Sequence, residues 1–594
     1  MANIIVQEAF NFTGGLNFRA DQFQLKPNES PGMLNVEIDP RGGVFSRAGF
    51  QKLNTTAITF AGTWNPKTIY NYKYTGSPRI MLSTGLQDAA TPIDGKVYVS
   101  SGGDFSYLDS ALSTPLVVES LNGASFTQWE DTLYIALGKN AAQMYKWIVG
   151  NTYATALAAS GPTWQPYQLP VGGYMPRAEL TVAHANKLFV ANTYEDGTAY
   201  SNRLRWSHES SPENWFQDDY IDIIAGGDGI RGIQIVDGQL LIFKPKAVYL
   251  LMGYDADSFQ LVEVTTNLGI DTPQQAIAGN GGVYFFDWPQ GLFFYNRNGV
   301  NDIFERIRPL IINGEINPIA TNTITLSFVR NRVWISLPYR AGDDGPPPIY
   351  ASVNLIFDAT IGPNGAYSMF QTAPSFEEDV PSGVSGFALL SGCDWRTSDD
   401  TPYYLMTGQD DDLPCVYFVD DYNYVDDDIA TGAGFNGRYP SYYTTSWFND
   451  ATYAQLKTFI RPYFVFKDVP IDTIIRLNRY KNYDETNVIG GTRSIFLAPT
   501  TGGAVYVLND ASPGEEYVAD PPPEPLLANS ATYGFSTEGA ALKRKGISPL
   551  GRGFAIQLQF LGPDETTYEV QFPGRKWGLN SIAYKYKRRK IRST

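Results

Sequence analysis

The sequence predicts an all-β fold, with a β-propeller-like body followed by a β-sandwich-like platform. Three observations lead there. Aromatic residues make up 14% of the chain, with 38 Tyr and 34 Phe, and such residues suit pleated, half-buried surfaces. The chain also carries 56 Gly and 38 Pro, the residues that tight turns need. Finally, a short unit recurs: a polar or Gly turn, then a brief apolar run with an aromatic or aliphatic centre.

The unit appears at Asp94-Gly95-Lys96-Val97-Tyr98-Val99, Asp131-Thr132-Leu133-Tyr134-Ile135 and Asn186-Lys187-Leu188-Phe189-Val190. It returns at Asp237-Gly238-Gln239-Leu240-Leu241-Ile242, Gly281-Gly282-Val283-Tyr284-Phe285 and Asn331-Arg332-Val333-Trp334-Ile335, with a weaker copy at Pro414-Cys415-Val416-Tyr417-Phe418. As far as Trp334 the spacing is ~35–55 residues, about one four-stranded propeller blade. A lone four-stranded sheet cannot bury both faces, and radial repetition lets each blade cover the next. The same strands would also suit a sandwich or barrel; the spacing favours the propeller. The gap from Val333 to Val416 exceeds one blade. It implies either a diverged blade around Val353-Asn354-Leu355-Ile356-Phe357 or an inserted loop, so the blade count stays open.

Helix is scarce. Ile303 to Ile312 has room for one or two turns but is interrupted by Pro309, and Tyr453 to Ile460 is a second short candidate. Pro-rich breaks at Gly342–Pro348 and Asp520–Pro525 read as exposed, extended loops, the first as a hairpin tip. Beyond about Phe435 the blade unit disappears. Longer runs replace it, Phe459–Phe466 and Phe554–Phe560, the latter alternating with the period of a half-buried strand. These shifts divide the chain into an N-terminal segment (1–55), a propeller-like domain (56–435) and a β-rich domain (436–594).

The 594 residues exceed what one core organises. The formal net charge is −16, which favours solubility and repels nucleic acid, whereas a groove-reading DNA binder leans basic. Cys393 and Cys415 form no metal-ligand pattern. They fit a reducing compartment, with a single bridge between them as the alternative. The start, Met1-Ala2-Asn3-Ile4-Ile5-Val6-Gln7-Glu8, lacks the basic and apolar regions of a signal peptide. No stretch approaches the ~20 apolar residues of a membrane span. Work outside a cell would therefore call for another exit, such as host lysis.

At the N-terminus Gly14-Gly15-Leu16-Asn17 is followed by Leu25, Leu34-Asn35-Val36, Pro40-Arg41-Gly42-Gly43 and Arg47-Ala48-Gly49. Further on come Arg205-Trp206-Ser207, Pro212-Glu213-Asn214-Trp215, Gly226-Gly227-Asp228-Gly229-Ile230, Leu240-Leu241-Ile242-Phe243-Lys244 and Val248-Tyr249. Then follow Val283-Tyr284-Phe285-Phe286, Gly291-Leu292-Phe293-Phe294-Tyr295, and the ending Leu579-Asn580-Ser581-Ile582 into Tyr586-Lys587-Arg588-Arg589. In this order the stretches resemble the tail nozzle proteins of short-tailed bacteriophages, the tail tubular protein B family. The likeness spans most of the chain, thinly between 340 and 550. It implies a homo-hexameric ring at the tip of the virion tail, assembled in the host cytoplasm, with a propeller-like body and a platform that docks on the adaptor under the portal. It also implies that 1–55 is a docking segment and 436–594 the platform, and it implies attachment of tail fibres or spikes and a channel through which genomic DNA passes without sequence-specific binding.

No catalytic residue, cofactor or metal is expected. His184 and His208 do not form His-Glu-x-x-His, and Gly383-Val384-Ser385-Gly386 is not a nucleophile elbow. Gly226–Gly229 lacks the Lys-Ser/Thr pair of a phosphate loop and reads as a turn before a strand at Ile230. Asp410, Asp411, Asp412, Asp426, Asp427 and Asp428 form an acidic cluster without EF-hand spacing. It reads as solvated loops, as a repulsive lining along which phosphates slide, or as a cation site. With Pro346, Pro347 and Pro348 these aspartates are the channel or gate candidates. Lys585, Lys587, Arg588, Arg589, Lys590 and Arg592 form a basic ending with Tyr584 and Tyr586 interleaved. A subunit or adaptor interface suits it better than nucleic acid does in so acidic a protein. The competing functions are a carbohydrate-binding or carbohydrate-cleaving propeller and another tail part, a hub or spike-attachment protein.

Overall fold

The computed structural model describes the chain from residue 4 to residue 588 with interruptions, the longest at 59–65, 86–94, 158–174, 340–352, 372–388, 428–435, 498–542 and 563–577. Among the described residues, seven antiparallel sheets of four strands follow one another, the first with a fifth, two-residue strand at Val117–Val118. Their inner strands are Pro66–Tyr72, Ser125–Trp129, Arg177–His184, Gly232–Val236, Ala276–Gly279, Thr325–Val329 and Leu389–Arg396. These touch in cyclic order, and the seventh touches the first. The body is a closed seven-bladed propeller.

The ring closes by exchange. The outer strand of the seventh blade is Gly49–Lys52, paired along Cys415–Asp420. The chain therefore lays down the last strand of the last blade before it builds the first blade, tying the two ends of the ring together.

The repeating unit is the second strand of blades two to six: Thr132–Ala136, Lys187–Glu195, Gln239–Phe243, Gly282–Asp287 and Arg332–Leu337. The turn before it is a tight hairpin with left-handed backbone. Asp237 and Gly238 have φ of 48° and 72°, Asn280 and Gly281 51° and 72°, Ala185 and Asn186 46° and 58°, and Arg330 and Asn331 55° and 60°. Two positive φ values in a two-residue loop define the turn whose twist matches the flanking strands, and Asp-Gly and Asn-Gly adopt it most readily. The second strands are buried on both faces because a blade packs on each side, which explains their unbroken apolar runs.

The long gap after Val333 is an inserted connection, not an extra blade. Val353–Asp358 is the third strand of blade six, paired with Arg332–Leu337 across residues 338–352. Four antiparallel strands per blade also fix two faces. All inner strands run the same way, so first-to-second turns leave one face. Second-to-third connections and blade-to-blade crossings leave the other, here called the crossing face.

The platform consists of two further sheets. One has eight strands: Ile4–Ala9, Val36–Ile38, Val44–Ser46, Lys457–Phe459, Tyr463–Phe466, Lys543–Gly546, Gly551–Gly553 and Gly578–Arg588. The other runs in the order Gly32–Leu34, Tyr442–Thr444, Ile556–Leu561, Thr473–Lys481, Arg493–Leu497. The sheets meet face to face as a sandwich, with the Phe560 ring 5.1 Å from Phe464 and 6.4 Å from Phe466. One apolar core joins these rings to Phe286, Phe304, Leu355 and Tyr367 of blades five and six and their connections.

Two helix expectations change. Pro309 opens the short helix Pro309–Ile312 instead of interrupting it, because the first helical turn needs no N–H from that position. In the stretch Tyr453–Ile460, residues 453–455 and 460 lie outside the described residues, but Lys457–Phe459 is a strand. It has Gly551–Gly553 on one side and Gly578–Arg588 on the other, and two ladders outweigh local helix propensity.

Candidate functional site: the platform–propeller junction

For a protein whose predicted role is mechanical, the site of interest is where its two bodies are joined. The N-terminal residues make that joint. Asn35 adopts φ 53°, a left-handed conformation that Asn tolerates better than most side chains. The turn sends its backbone N–H to the Met369 carbonyl at 2.8 Å, while its side-chain oxygen receives the Gln371 N–H at 2.8 Å. Both partners belong to blade six or its exit.

Arg47 completes the knot. It is fully buried. Its Nε donates to Asn35 Oδ1 at 2.9 Å, Nη1 to the Ala48 carbonyl at 2.8 Å and Nη2 to the Gln371 carbonyl at 2.9 Å. The guanidinium carbon lies 4.2 Å from the Phe50 ring centroid, in the outer strand of blade seven. A planar fork with donors in fixed directions suits three acceptors spread around one point. One side chain thus ties the platform turn, blade six and blade seven.

Around this knot, Gly15 runs so close to Tyr367 that a Cβ there would lie 2.9 Å from its backbone nitrogen and oxygen. Arg306 Nη1 reaches the Gly14 carbonyl at 2.9 Å. Arg332 of blade six pairs with Glu37 of the platform at 2.9 Å and with Asp358 at 2.9 Å. Burial alone would raise the Glu37 pKa, but Arg332 and Arg330 outweigh it and hold the carboxyl below its ordinary value.

A second buried knot lies wholly within blade three. Glu195 accepts Arg205 Nε and Nη2 at 3.1 and 2.9 Å, Arg203 Nη1 at 3.1 Å and the Thr193 hydroxyl at 2.6 Å. Arg203 also grips Asp222 through two bonds of 2.8 Å, and its guanidinium lies 3.8 Å from the Tyr200 ring and 3.7 Å from Tyr220. Two cations meet two anions with further polar partners, the condition under which buried charge is tolerated.

The residues singled out from sequence are not gathered at one place. Pro346, Pro347, Pro348, Asp410, Asp411, Asp412 and Asp428 lie outside the described residues, as do Arg589, Lys590 and Arg592. The described strands that precede the first two groups, Arg332–Leu337 and Pro402–Gly408, are the second strands of blades six and seven and end at the crossing face. Asp426 and Asp427 form a two-residue strand paired with Asn436–Gly437. That strand follows the third strand of blade seven, which ends at the opposite face. Lys585, Lys587 and Arg588 belong to the platform strand Gly578–Arg588, where Lys585 and Lys587 face Val6 and Ile4, and Lys587 and Arg588 face Thr458 and Lys457 on the other side. Lys585 to Arg588 thus lie in an interior strand of a sheet.

The histidines pack against aromatic rings. His184 lies 6.0 Å from Phe189, its pKa lowered by burial, and His208 lies 5.0 Å from Phe216. Cys393 is a free thiol. It sits in the inner strand of blade seven, whereas Cys415 starts the third, with the strand Pro402–Gly408 between them. Among the described residues no three His, Cys, Asp or Glu side chains converge as a metal site. Among them too, no helix is long and apolar enough to cross a membrane.

No protein-family model matches the chain, and no curated protein matches it. Among solved structures, the Dos1 propeller is similar at 10% identity and a TM-score of 0.33, over 63% of this chain and 95% of that one. A glucose dehydrogenase is similar at 12% identity and a TM-score of 0.24, over 41% of this chain and 84% of that one. Likenesses this distant leave function to be argued from the chain itself.

Proposed function

We propose that this chain is a structural, non-enzymatic subunit of a short phage tail, the nozzle that extends the DNA channel below the adaptor and portal. The observation that supports this reading most is where the resembling residues fall. Gly14-Gly15, Asn35 and Arg47 belong to the N-terminal stretch that resembles tail nozzle proteins, and all three sit in the joint between platform and propeller. In this reading the platform docks on the adaptor, six copies form a ring, and fibres or spikes attach nearby. An acidic surface lets DNA pass without sticking. The strand that carries Lys585, Lys587 and Arg588 is the proposed interface element. The protein would be assembled in the host cytoplasm and carried at the virion tail tip.

The test is electron microscopy of the protein alone and after mixing with its adaptor–portal complex. A six-fold ring capping that complex supports the reading. A monomer that ignores the complex overturns it and moves attention to glycan binding.

A further inference from the structure

We propose that the axial channel of the propeller is latched shut at its crossing face, with the segment Leu121–Gly123 as the bar and Gln274 as its catch. The inference stands whether or not the nozzle reading does. The bar belongs to the crossing from blade one to blade two, and the catch to the crossing from blade four to blade five. These crossings lie three blades apart in a ring of seven, almost opposite each other. Yet Gln274 Nε2 donates to the Asn122 carbonyl. A bond between nearly opposite crossings spans the mouth.

The bar is held from the side as well. Glu179, on the inner strand of blade three, accepts the Ser120 hydroxyl, and it accepts Asn122 Nδ2 at 3.3 Å. The catch is itself anchored, because the neighbouring Gln275 donates to the Thr321 carbonyl of the next crossing at 2.9 Å and accepts the Asp271 and Thr272 N–H groups at 2.8 and 3.3 Å.

Beneath the bar lies Lys67, near the start of the inner strand of blade one. A Cβ on Gly123 would come within 2.7 Å of Lys67 Cβ, and one on Gly85 within 2.5 Å of the Leu121 carbonyl and 3.0 Å of Lys67 Cγ. Bare glycine backbone therefore presses the bar directly onto the lysine stem. Lys67 is 9% exposed and has no hydrogen-bond acceptor among the described residues. A latched mouth blocks passage along the propeller's own axis at the crossing face, so in an assembly a conduit would run between copies.

Lys67 also reports on the latch. Burial lowers its pKa to about 8, so more of it is unprotonated near neutral pH than of an ordinary lysine. Opening the mouth would remove the burial that lowers this pKa, so an open Lys67 would acylate about as fast as an exposed lysine and a latched one far more slowly. The experiment is brief acetylation of the full chain at pH 7.5, read by peptide mass spectrometry, with the exposed Lys246 as reference and the fully buried Lys244 as a check on folding. Wild type is expected to modify Lys67 at least about tenfold more slowly than Lys246, and Gln274→Ala to remove most of that protection by local opening. Glu179→Ala, which cuts the side hold, is expected to act in the same direction and carries the test if Gln274→Ala exposes Lys244 as well. Wild-type Lys67 reacting as fast as Lys246 would overturn the proposal, and so would protection of Lys67 surviving both substitutions.

Discussion

Replacing Arg47 with Met isolates the joint between the two bodies. Met keeps an apolar stem of similar length and removes the fork. Three acceptors, Asn35 Oδ1 and the Ala48 and Gln371 carbonyls, then lose a donor inside the protein. Each stranded acceptor costs about 1–3 kcal/mol. Asn35 can turn its side chain, but the two carbonyls are fixed by backbone, so a total of about 3–5 kcal/mol is expected. A chain with two bodies does not unfold in one step, so a single melting temperature is the wrong readout. Hydrogen exchange resolves the joint directly. The Asn35 backbone N–H donates to Met369 across it and the Arg47 N–H to Asn35 beside it, and in Arg47→Met they should exchange about two to three orders of magnitude faster. Amides of blades two to four, far from the joint, should keep their wild-type rates. Exchange at Asn35 and Arg47 accelerated less than about fivefold, under 1 kcal/mol, would refute the claim that this side chain ties the bodies together.

Four further outcomes follow from the same geometry. Glu37 has a folded pKa below its unfolded one, so its stabilising effect is full above the ordinary carboxylate value and is lost as pH falls through the lowered value; Glu37→Gln should loosen the joint at pH 7, and its difference from wild type should shrink as pH falls below the ordinary carboxylate range, as read by limited proteolysis between platform and propeller. Glu195→Gln leaves Arg205 and Arg203 facing a neutral amide in a site where Glu195 is 4% exposed, and a loss of about 3–5 kcal/mol in the denaturant stability of blade three is expected. Gly238 has φ 72° with nothing within 4 Å of an added Cβ, so Gly238→Val measures backbone strain alone, expected at roughly 1–2 kcal/mol; a neutral result would contradict the assigned turn. The Cys393 thiol is pushed up to about 12, first by burial and then by Asp394, so it should stay silent to a thiol reagent at pH 8 until the protein is denatured.

What the sequence disclosed was local. The runs at Leu133, Leu188, Leu240, Val283 and Val333 follow tight hairpin turns that chain neighbours alone dictate, and their unbroken apolar character signals burial on both faces. The blade number was hidden because the seventh blade borrows Gly49–Lys52 from the start of the chain and blade six carries a long connection before Val353. The joint was hidden for the same reason: Arg47 and Gln371 are 324 positions apart. Asn35 and Arg47 stand inside motifs that marked a resemblance, but nothing in one sequence says that they meet. Lys457–Phe459 looked helical because its strand character comes from two partner strands around it. Glu195 and Arg203 drew no attention, since charged residues in a strand usually face water; only the fold shows that they face each other.

The central claim is that a seven-bladed ring is closed and joined to the platform by the N-terminal residues. An electron-microscopy map of the full chain, at a resolution that traces backbone, tests it most directly. The account predicts seven blades about one axis, with Gly49–Lys52 as the outer strand of the last and Arg47 buried between platform and blade six. A different blade number, or a last blade closed by C-terminal residues with 35–52 packed elsewhere, would contradict it.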